Sequence, residues 1–322
     1  MRYIVIPKGI SKPIFESQIV GRFHGLEIRF VSYDREQELV ADLEDFSSVI
    51  EGDIIYFRSV TDFFRYKISS VFSRKKVITE FDFRGIISEE SYLRNRCRIR
   101  RLLLSWLEFF AFKYSDRLFS VSNNLASYLV KKFYSKDIVV IPCCVPADIC
   151  ILKDRSSKHK ELRFIYVGSM SEWQSFDNIC ELYSSVDSEL TSLTVVTKDR
   201  VKANQILQNY MIQAVVLSGD KNFVLKQLDR ADFGFIYRAN SIINTTSSPV
   251  KFLEYTARGV IPVMSPYVGD YSHIFQNISY TVRDSKQKMN VEILARMRAD
   301  ANTYRELFKL TNNFSWETYF DR

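Results

Sequence analysis

The sequence predicts an α/β protein made of two doubly wound domains in tandem. Short apolar runs alternate with longer helical patterns, as they do where helices cover both faces of a parallel sheet. The alternation halts in a polar, charged stretch at Leu152–Glu161 and then starts again. At 322 residues the chain is also longer than one typical core requires. In the first half the strand-like runs are Tyr3–Pro7, Ile28–Ser32, Asp53–Arg58, Lys76–Thr79, Arg117–Val121 and Ile138–Pro142. Helical periodicity fills Ile14–Gly25, Gln37–Ile50, Asp62–Phe72, Ser91–Tyr114 and Asn124–Phe133. In the second half the strands fall at Arg163–Val167, Leu193–Thr197, Ala214–Leu217, Phe233–Tyr237, Ile261–Met264 and Ser279–Val282. Its helices fall at Phe176–Val186, Lys202–Met211, Phe223–Arg230, Val250–Ala257, Tyr271–Phe275 and Val291–Phe308. The expected division is a first domain at 1–150, a linker at 151–160, a second domain at 161–305 and a helical tail at 306–322 that packs back on the first domain. In such sheets a ligand sits beyond the carboxyl ends of the strands, and two domains in tandem create a cleft between those ends.

Composition narrows the class. With 46% hydrophobic and 26% charged residues the chain is globular. No apolar run reaches membrane-spanning length, and the longest, Leu102–Phe112, carries Glu108. The start Met1-Arg2-Tyr3-Ile4-Val5-Ile6-Pro7 reads as a strand and lacks the pattern of a secretory leader. Five cysteines without C-x-x-C spacing suit reduced, mostly buried thiols of a cytosolic protein. Three scattered histidines, His24, His159 and His273, argue against zinc. The net charge of +7 suits an anionic partner, whether nucleic acid, lipid or small substrate. The charge is clustered at Arg65, Lys67, Arg74, Lys75 and Lys76, and again at Arg94, Arg96, Arg98, Arg100 and Arg101.

The segment from Ser248 to Val263 is the most informative. It reads as a loop, a helix opened by Pro249, a stop at Gly259 and an apolar strand. Proline suits the first helical turn, where its missing N–H has no helical partner. The N–H groups of Val250 and Lys251 then point out of the helix start, where the dipole favours an anion. Lys251 adds a mobile positive charge, and Glu254 follows about one turn later. A phosphate at the helix tip leaves a sugar hydroxyl within reach of Glu254, the geometry of a nucleotide site; an amphipathic helix with a surface lysine and glutamate is the plainer alternative.

Two further features lie where strands end. Val167-Gly168-Ser169-Met170-Ser171 follows the first strand of the second half; Gly168 lets a ligand approach the backbone, and Ser169 and Ser171 offer hydroxyls. Trp173, just beyond, could stack on a ring or seal the domain edge. Arg238 closes the strand Phe235-Ile236-Tyr237 and suits a diphosphate. The Gly168 loop, Arg238 and the Pro249–Glu254 helix start converge on one crevice.

The second half resembles the nucleotide-sugar domain of glycosyltransferases of the two-Rossmann B type (GT-B), especially family-4-like bacterial enzymes. SPVKFLEYTARGVIPV is similar to their sPxKxxEYxAxGxPV element. FIYVGSMSEWQSFDNICELY is similar to their first strand, loop and helix, with Trp-Gln where many members carry Lys-Gly. VVIPCCVPADI and DRLFSVSNNLASYL resemble segments of their first domain, and the N-terminal part is more divergent. The resemblance covers most of the chain and implies two Rossmann-like doubly wound domains facing a cleft. It implies that Glu254 holds the ribose hydroxyls, that Ser248, Pro249, Val250 and Lys251 face the diphosphate, and that Gly168 and Ser169 pass close to the phosphates. Many family-4 enzymes carry a second glutamate eight residues before the ribose glutamate, over the donor sugar. Thr246 stands there in this chain, so the donor sugar is left open.

The first half is expected to supply the acceptor side. Thr79-Glu80-Phe81-Asp82-Phe83-Arg84-Gly85 is similar to the DxRG element of some bacterial sugar transferases. Asp82 could orient the acceptor hydroxyl or stabilise positive charge at the sugar carbon, and Arg84 could contact a phosphate of donor or acceptor. Alternatively the two pair with each other. Ser17 and Gln18 fall where family members line the cleft, or they form a plain helix start. Glu80-x-Asp82 has the acid-x-acid spacing of metal-dependent transferases, but that reading leaves the second half unexplained. The expected reaction needs no metal and no cofactor: Lys251, Arg238 and backbone N–H groups stabilise the leaving nucleoside diphosphate. Retention at the anomeric carbon is implied by the resemblance alone.

The run Arg94–Lys113 could lie on an anionic inner leaflet, with Arg94, Arg98 and Arg101 at headgroups and Trp106 at the boundary. It could equally be a domain helix with solvated arginines. Taken together, the expected protein is a glycosyltransferase, cytoplasmic or peripheral on the inner membrane, acting on a glycan or polyprenyl-linked acceptor in O-antigen, lipopolysaccharide or capsule synthesis. A nucleotide-sugar 2-epimerase shares the diphosphate site but needs acid/base groups that this histidine-poor chain offers sparingly. A nucleic-acid-binding protein would use the arginine cluster, but no reader motif accompanies it.

Overall fold

The structure is a computed structural model that describes residues 1–34, 36–71, 75–134, 136–152, 160–186 and 189–320. Arg74, His159 and most of the expected linker lie outside the described residues. Contacts divide the chain into two units, Met1–Cys143 with Thr246–Ser248, and Cys144–Thr245 with Pro249–Arg322.

The first unit is built on a parallel sheet of β1 (Arg2–Val5), β2 (Ile28–Val31), β3 (Leu43–Glu44), β4 (Ile54–Phe57), β5 (Ile78–Phe83), β6 (Arg117–Ser120) and β7 (Ile138–Val140). Its order is β3-β2-β1-β4-β5-β6-β7, so the winding reverses between β1 and β4. The α-helices are α1 (Lys12–Phe15), α2 (Val60–Ser70), α3 (Ile87–Asn95), α4 (Arg98–Tyr114) and α5 (Asn123–Phe133). Ser59 and Ser122 cap α2 and α5 by accepting from the N–H groups of Asp62 and Leu125. Glu108, the charge inside the long apolar run, is buried and ties three helices together. It accepts from Ser88 N and Oγ of α3 at 2.9 and 2.8 Å and pairs with Lys132 of α5 at 3.3 Å.

Several elements differ from the periodicity. Gln37–Ile50 is not a helix but a turn region with β3 and a 3-10 turn at Phe46–Ser48. Its polar side chains hold the backbone in other ways: Gln37 accepts from Leu39 N, and Asp45 accepts from Ser47 N. Ile14–Gly25 becomes α1, a π turn at Glu16–Val20 and a 3-10 turn at Gly21–Phe23. Ser91–Tyr114 breaks into α3 and α4 because Arg96 adopts the left-handed region, with φ 51°. The strand expected at Lys76–Thr79 runs instead through Phe83, and its acids are neutralised inside the sheet. Glu80 pairs with Arg2 and Arg117, both at 3.2 Å.

The second unit has a parallel sheet of β8 (Leu162–Val167), β9 (Thr191–Val196), β10 (Val215–Leu217), β11 (Phe233–Ile236), β12 (Ile261–Met264) and β13 (Tyr280–Thr281). The order is β10-β9-β8-β11-β12-β13, reversing between β8 and β11. Its helices are α6 (Phe176–Tyr183), α7 (Arg200–Asn209), α8 (Lys221–Arg230), α9 (Ile242–Thr245), α10 (Val250–Ala257), α11 (Tyr271–Ile274), α12 (Val291–Ala299), α13 (Ala301–Asn312) and α14 (Trp316–Phe320). The helix expected at Val291–Phe308 is interrupted at Asp300, which caps α13 by accepting from Asn302 N. Phe164 stacks on Phe233 and Phe235 with centroids 5.4 and 5.3 Å apart. Gly234 makes room for α10: a Cβ there would lie 2.3 Å from Tyr255 Cδ2. The described part of the tail meets residues 145–149, which belong by contact to this second unit. Val145 N donates to Phe314 O, and Glu317 accepts from Ala147 N.

Candidate functional site

In the second unit the strand order reverses between β8 and β11, and the site residues gather beyond the ends of those strands, where such sheets bind ligands. β8 ends at Val167, whose N–H donates to Tyr255 Oη at 2.7 Å. Gly168 follows, and its lack of a side chain is required. An added Cβ would meet Lys251 Nζ at 2.5 Å and Tyr166 Oη at 2.7 Å. The Tyr166 hydroxyl donates to Ser169 O at 2.7 Å, and the Ser169 and Ser171 hydroxyls bond each other at 2.8 Å.

The α10 helix lies where the sequence places it, with one correction. Pro249 is the capping residue, with ψ 114°, and Val250 opens the helix. Phe252 N–H donates to Pro249 O, so the N–H groups of Val250 and Lys251 precede the first turn bond. Lys251 is held rather than mobile: Nζ donates to Gln174 Oε1 at 2.7 Å and lies 5.5 Å from the Tyr166 ring centroid. Burial and the neighbouring Arg238 push its ammonium down to about 7, and Glu254 opposes them only in part. Arg238 is buried; Nη1 donates to Trp173 O at 2.8 Å, and its main-chain N–H donates to Ser265 Oγ. Burial lowers its pKa too, against the pull of Tyr166 and Tyr255. The half-buried Glu254 is raised by burial, with Lys221 and Lys251 working against the rise. Two cations thus crowd together beside a helix start, an arrangement that an anion relieves.

Gln174 is the residue that sequence reasoning passed over. It occupies the Trp-Gln variation and anchors Lys251, a link across 77 positions that no local pattern signals. Trp173 is half-buried and contributes its carbonyl to Arg238. Ser248 falls with the first unit, where its Oγ accepts from Cys143 N at 3.1 Å. Thr246 falls there as well, its carbonyl accepting from Ser122 Oγ at 2.7 Å.

In the first unit Asp82 takes the second of the two arrangements open to it in the sequence, pairing with Arg84 and with further arginines. It is fully buried: Oδ2 accepts from Arg22 Nη1 at 2.8 Å and from the Tyr56 hydroxyl, and Arg84 Nη1 lies 3.4 Å away. Burial alone would raise its pKa, but Arg84, Arg22 and Arg58 hold it below the usual carboxylate range. Arg84 also donates to Gln18 Oε1 at 3.1 Å and to Cys143 Sγ. Gln18 therefore belongs to this cluster, whereas the Ser17 hydroxyl donates to Pro13 O within its own turn. Both residues sit on the π turn, a form frequent at functional sites.

The basic run is also resolved. Arg94 lies on α3 and pairs with Glu90, and Arg101 pairs with Glu89. On α4, Ile99, Leu102, Leu103 and Trp106 share one face and are 73, 70, 62 and 51% exposed, with Arg98 and Arg100 exposed nearby.

Comparison with known proteins shows the fold. No protein-family model matches the chain, and no curated protein sequence does. Solved structures match over nearly its whole length. A glycosyltransferase from Rickettsia africae has TM-score 0.71 and 13% identity, covering 99% of this chain and 95% of that one. Sucrose-phosphate synthase from Thermosynechococcus elongatus has TM-score 0.69 and 12% identity, covering 98% and 95%. HepE from Anabaena, in complex with UDP-glucose, has TM-score 0.68 and 11% identity, covering 98% and 96%. The chain has the two-domain, parallel-sheet GT-B fold of these proteins.

Proposed function

We propose that the protein is a glycosyltransferase that moves a sugar from a nucleoside-diphosphate sugar to a glycan or lipid-linked acceptor. The observation that carries this reading is the pair of crowded cations, Lys251 and Arg238, beside the start of α10, with Gly168 kept open against Lys251. A diphosphate placed there accepts hydrogen bonds from the helix N–H groups and both cations. Glu254, one turn further on, is suited to accept from ribose hydroxyls. As the bond to the sugar breaks, negative charge grows on the leaving diphosphate, and the same groups stabilise it. That charge needs no metal to balance it, and transfer with retention follows from the family resemblance.

The finer reading is synthesis of a bacterial surface polysaccharide, O-antigen or capsule, with the acceptor taken by the first unit. It is supported by the sequence resemblance and by a structural likeness to the lipopolysaccharide outer core galactosyltransferase WaaB, at TM-score 0.65 and 10% identity over 100% of this chain and 97% of that one. Among the described residues no helix is long and apolar enough to cross a membrane. The exposed apolar face of α4, flanked by Arg98 and Arg100, supports peripheral binding to an anionic leaflet. Release of nucleoside diphosphate from a panel of UDP-, GDP-, TDP- and ADP-sugars tests the activity. One sugar nucleotide is expected to turn over, with Glu254→Ala slowing it roughly tenfold or more through lost hydrogen bonds to a charged group. Turnover of none, or undiminished turnover by a folded Glu254→Ala, contradicts the reading.

A further inference from the structure

The first unit holds a charge imbalance that the donor site does not explain. The reversal of its strand order lies between β1 and β4, and Arg58 stands directly after β4. Arg84 stands directly after β5, and Arg22 comes from the 3-10 turn at Gly21–Phe23. The side chains of Arg22, Arg58 and Arg84 are 3, 9 and 14% exposed, around an Asp82 that is 0% exposed. Three guanidinium groups thus share one carboxylate.

The three are not equivalent. Arg22 is satisfied: it donates to Asp82 and lies over the rings of Phe119, Tyr56 and Phe23 at 4.5, 4.9 and 5.5 Å. Arg58 is not. Its Nε reaches Asp82 Oδ2 only at 4.0 Å, and its buried Nη1 has no hydrogen-bond partner. Burial and Arg84 lower its pKa, and Asp82 is the only carboxylate among the groups that act on it most strongly. An uncompensated buried cation is costly and is relieved by an anion.

We infer that Arg58 and Arg84, which follow the neighbouring strands β4 and β5 of the first unit, form a binding site for a phosphate group, with Asp82 paired to both. The group belongs to a phosphorylated acceptor. The site stands on charge and burial; its link to the acceptor rests on the transferase reading, so the test reads anion binding and not turnover.

The full chain is titrated with inorganic pyrophosphate, and its thermal midpoint is followed for wild type, Lys251→Met, Arg58→Gln, Arg22→Gln and the double variant Lys251→Met with Arg58→Gln. Wild type is expected to be stabilised by pyrophosphate, Lys251→Met to keep part of that shift, and the double variant to lose it. Without anion, Arg58→Gln should melt no lower than wild type, since it removes a buried guanidinium that is held only by a 4.0 Å pair with Asp82 and whose Nη1 has no hydrogen-bond partner, whereas Arg22→Gln should melt lower. This contrast separates a ligand-facing arginine from a structural one. A shift kept by Lys251→Met and lost when Arg58→Gln is added assigns the site to the first unit. No shift in Lys251→Met, or an equal shift in the double variant, overturns the inference. Pyrophosphate binding that needs Arg58 in a chain that releases no nucleoside diphosphate would leave this site standing and remove the transferase reading.

Discussion

Lys251 gives the sharpest residue-scale prediction. Its ammonium titrates near 7 in the unliganded protein, because burial and Arg238 disfavour the charge. A bound diphosphate favours the charge, so binding above pH 7 takes up a proton. Affinity for the nucleotide should therefore be level just below 7 and fall by up to about tenfold per pH unit above it. Lys251→Met should bind more weakly and lose the slope; calorimetric titration between pH 7 and 9 reads both, and a level wild-type profile would refute the assignment. Gly168→Ala should weaken nucleotide binding and also lower the melting midpoint, because the buried Tyr166 ring has to shift. The new methyl meets the flexible end of Lys251 at 2.5 Å and displaces it, although Tyr166 Oη at 2.7 Å must also give. Residues on one helix start were legible from sequence, since Lys251 and Glu254 lie within one local pattern. Gln174, Tyr166, Arg22 and Arg58 were not: each acquires its meaning from a partner brought near by the sheet.

At the scale of elements, the alternation of strand and helix was legible because each strand is a short apolar run and each helix has an apolar face. It failed where local polar bonds compete with periodicity, as Gln37 and Asp45 do in the stretch expected to be a helix. It also failed at Arg96, whose left-handed backbone divides α3 from α4 without glycine to mark the break. Packing of α10 on its sheet predicts that Gly234→Ala costs about 1–3 kcal/mol or more, because the methyl has no space beside Tyr255. Urea denaturation of the variant measures it, and an unchanged midpoint would contradict that packing. For α4, Leu102→Glu with Leu103→Glu should abolish sedimentation with vesicles rich in anionic lipid while leaving the melting midpoint within about a degree or two, as surface substitutions usually do. Equal sedimentation of wild type and variant would remove the membrane reading. Raising the salt should weaken the wild-type interaction, since part of the attraction is carried by exposed arginines.

For the whole molecule, the net charge of +7 resolves into distinct uses. In the proposed reading Lys251 and Arg238 serve a nucleotide in the second unit and the arginines around Asp82 serve an anion in the first, while Arg98 and Arg100 lie beside an exposed apolar face. In the second unit the candidate residues follow β8 and β11, the two strands at the reversal of strand order, where such sheets bind ligands. The most direct measurement is thermal stabilisation by UDP, GDP, TDP, ADP and CMP, on wild type and Glu254→Ala. A ligand that binds the native state raises its apparent stability by mass action. The expected result is that one nucleoside diphosphate raises the midpoint of wild type and leaves Glu254→Ala where it was. Stabilisation of neither protein by any nucleotide, or of both equally, would contradict a nucleotide site at Lys251 and Glu254.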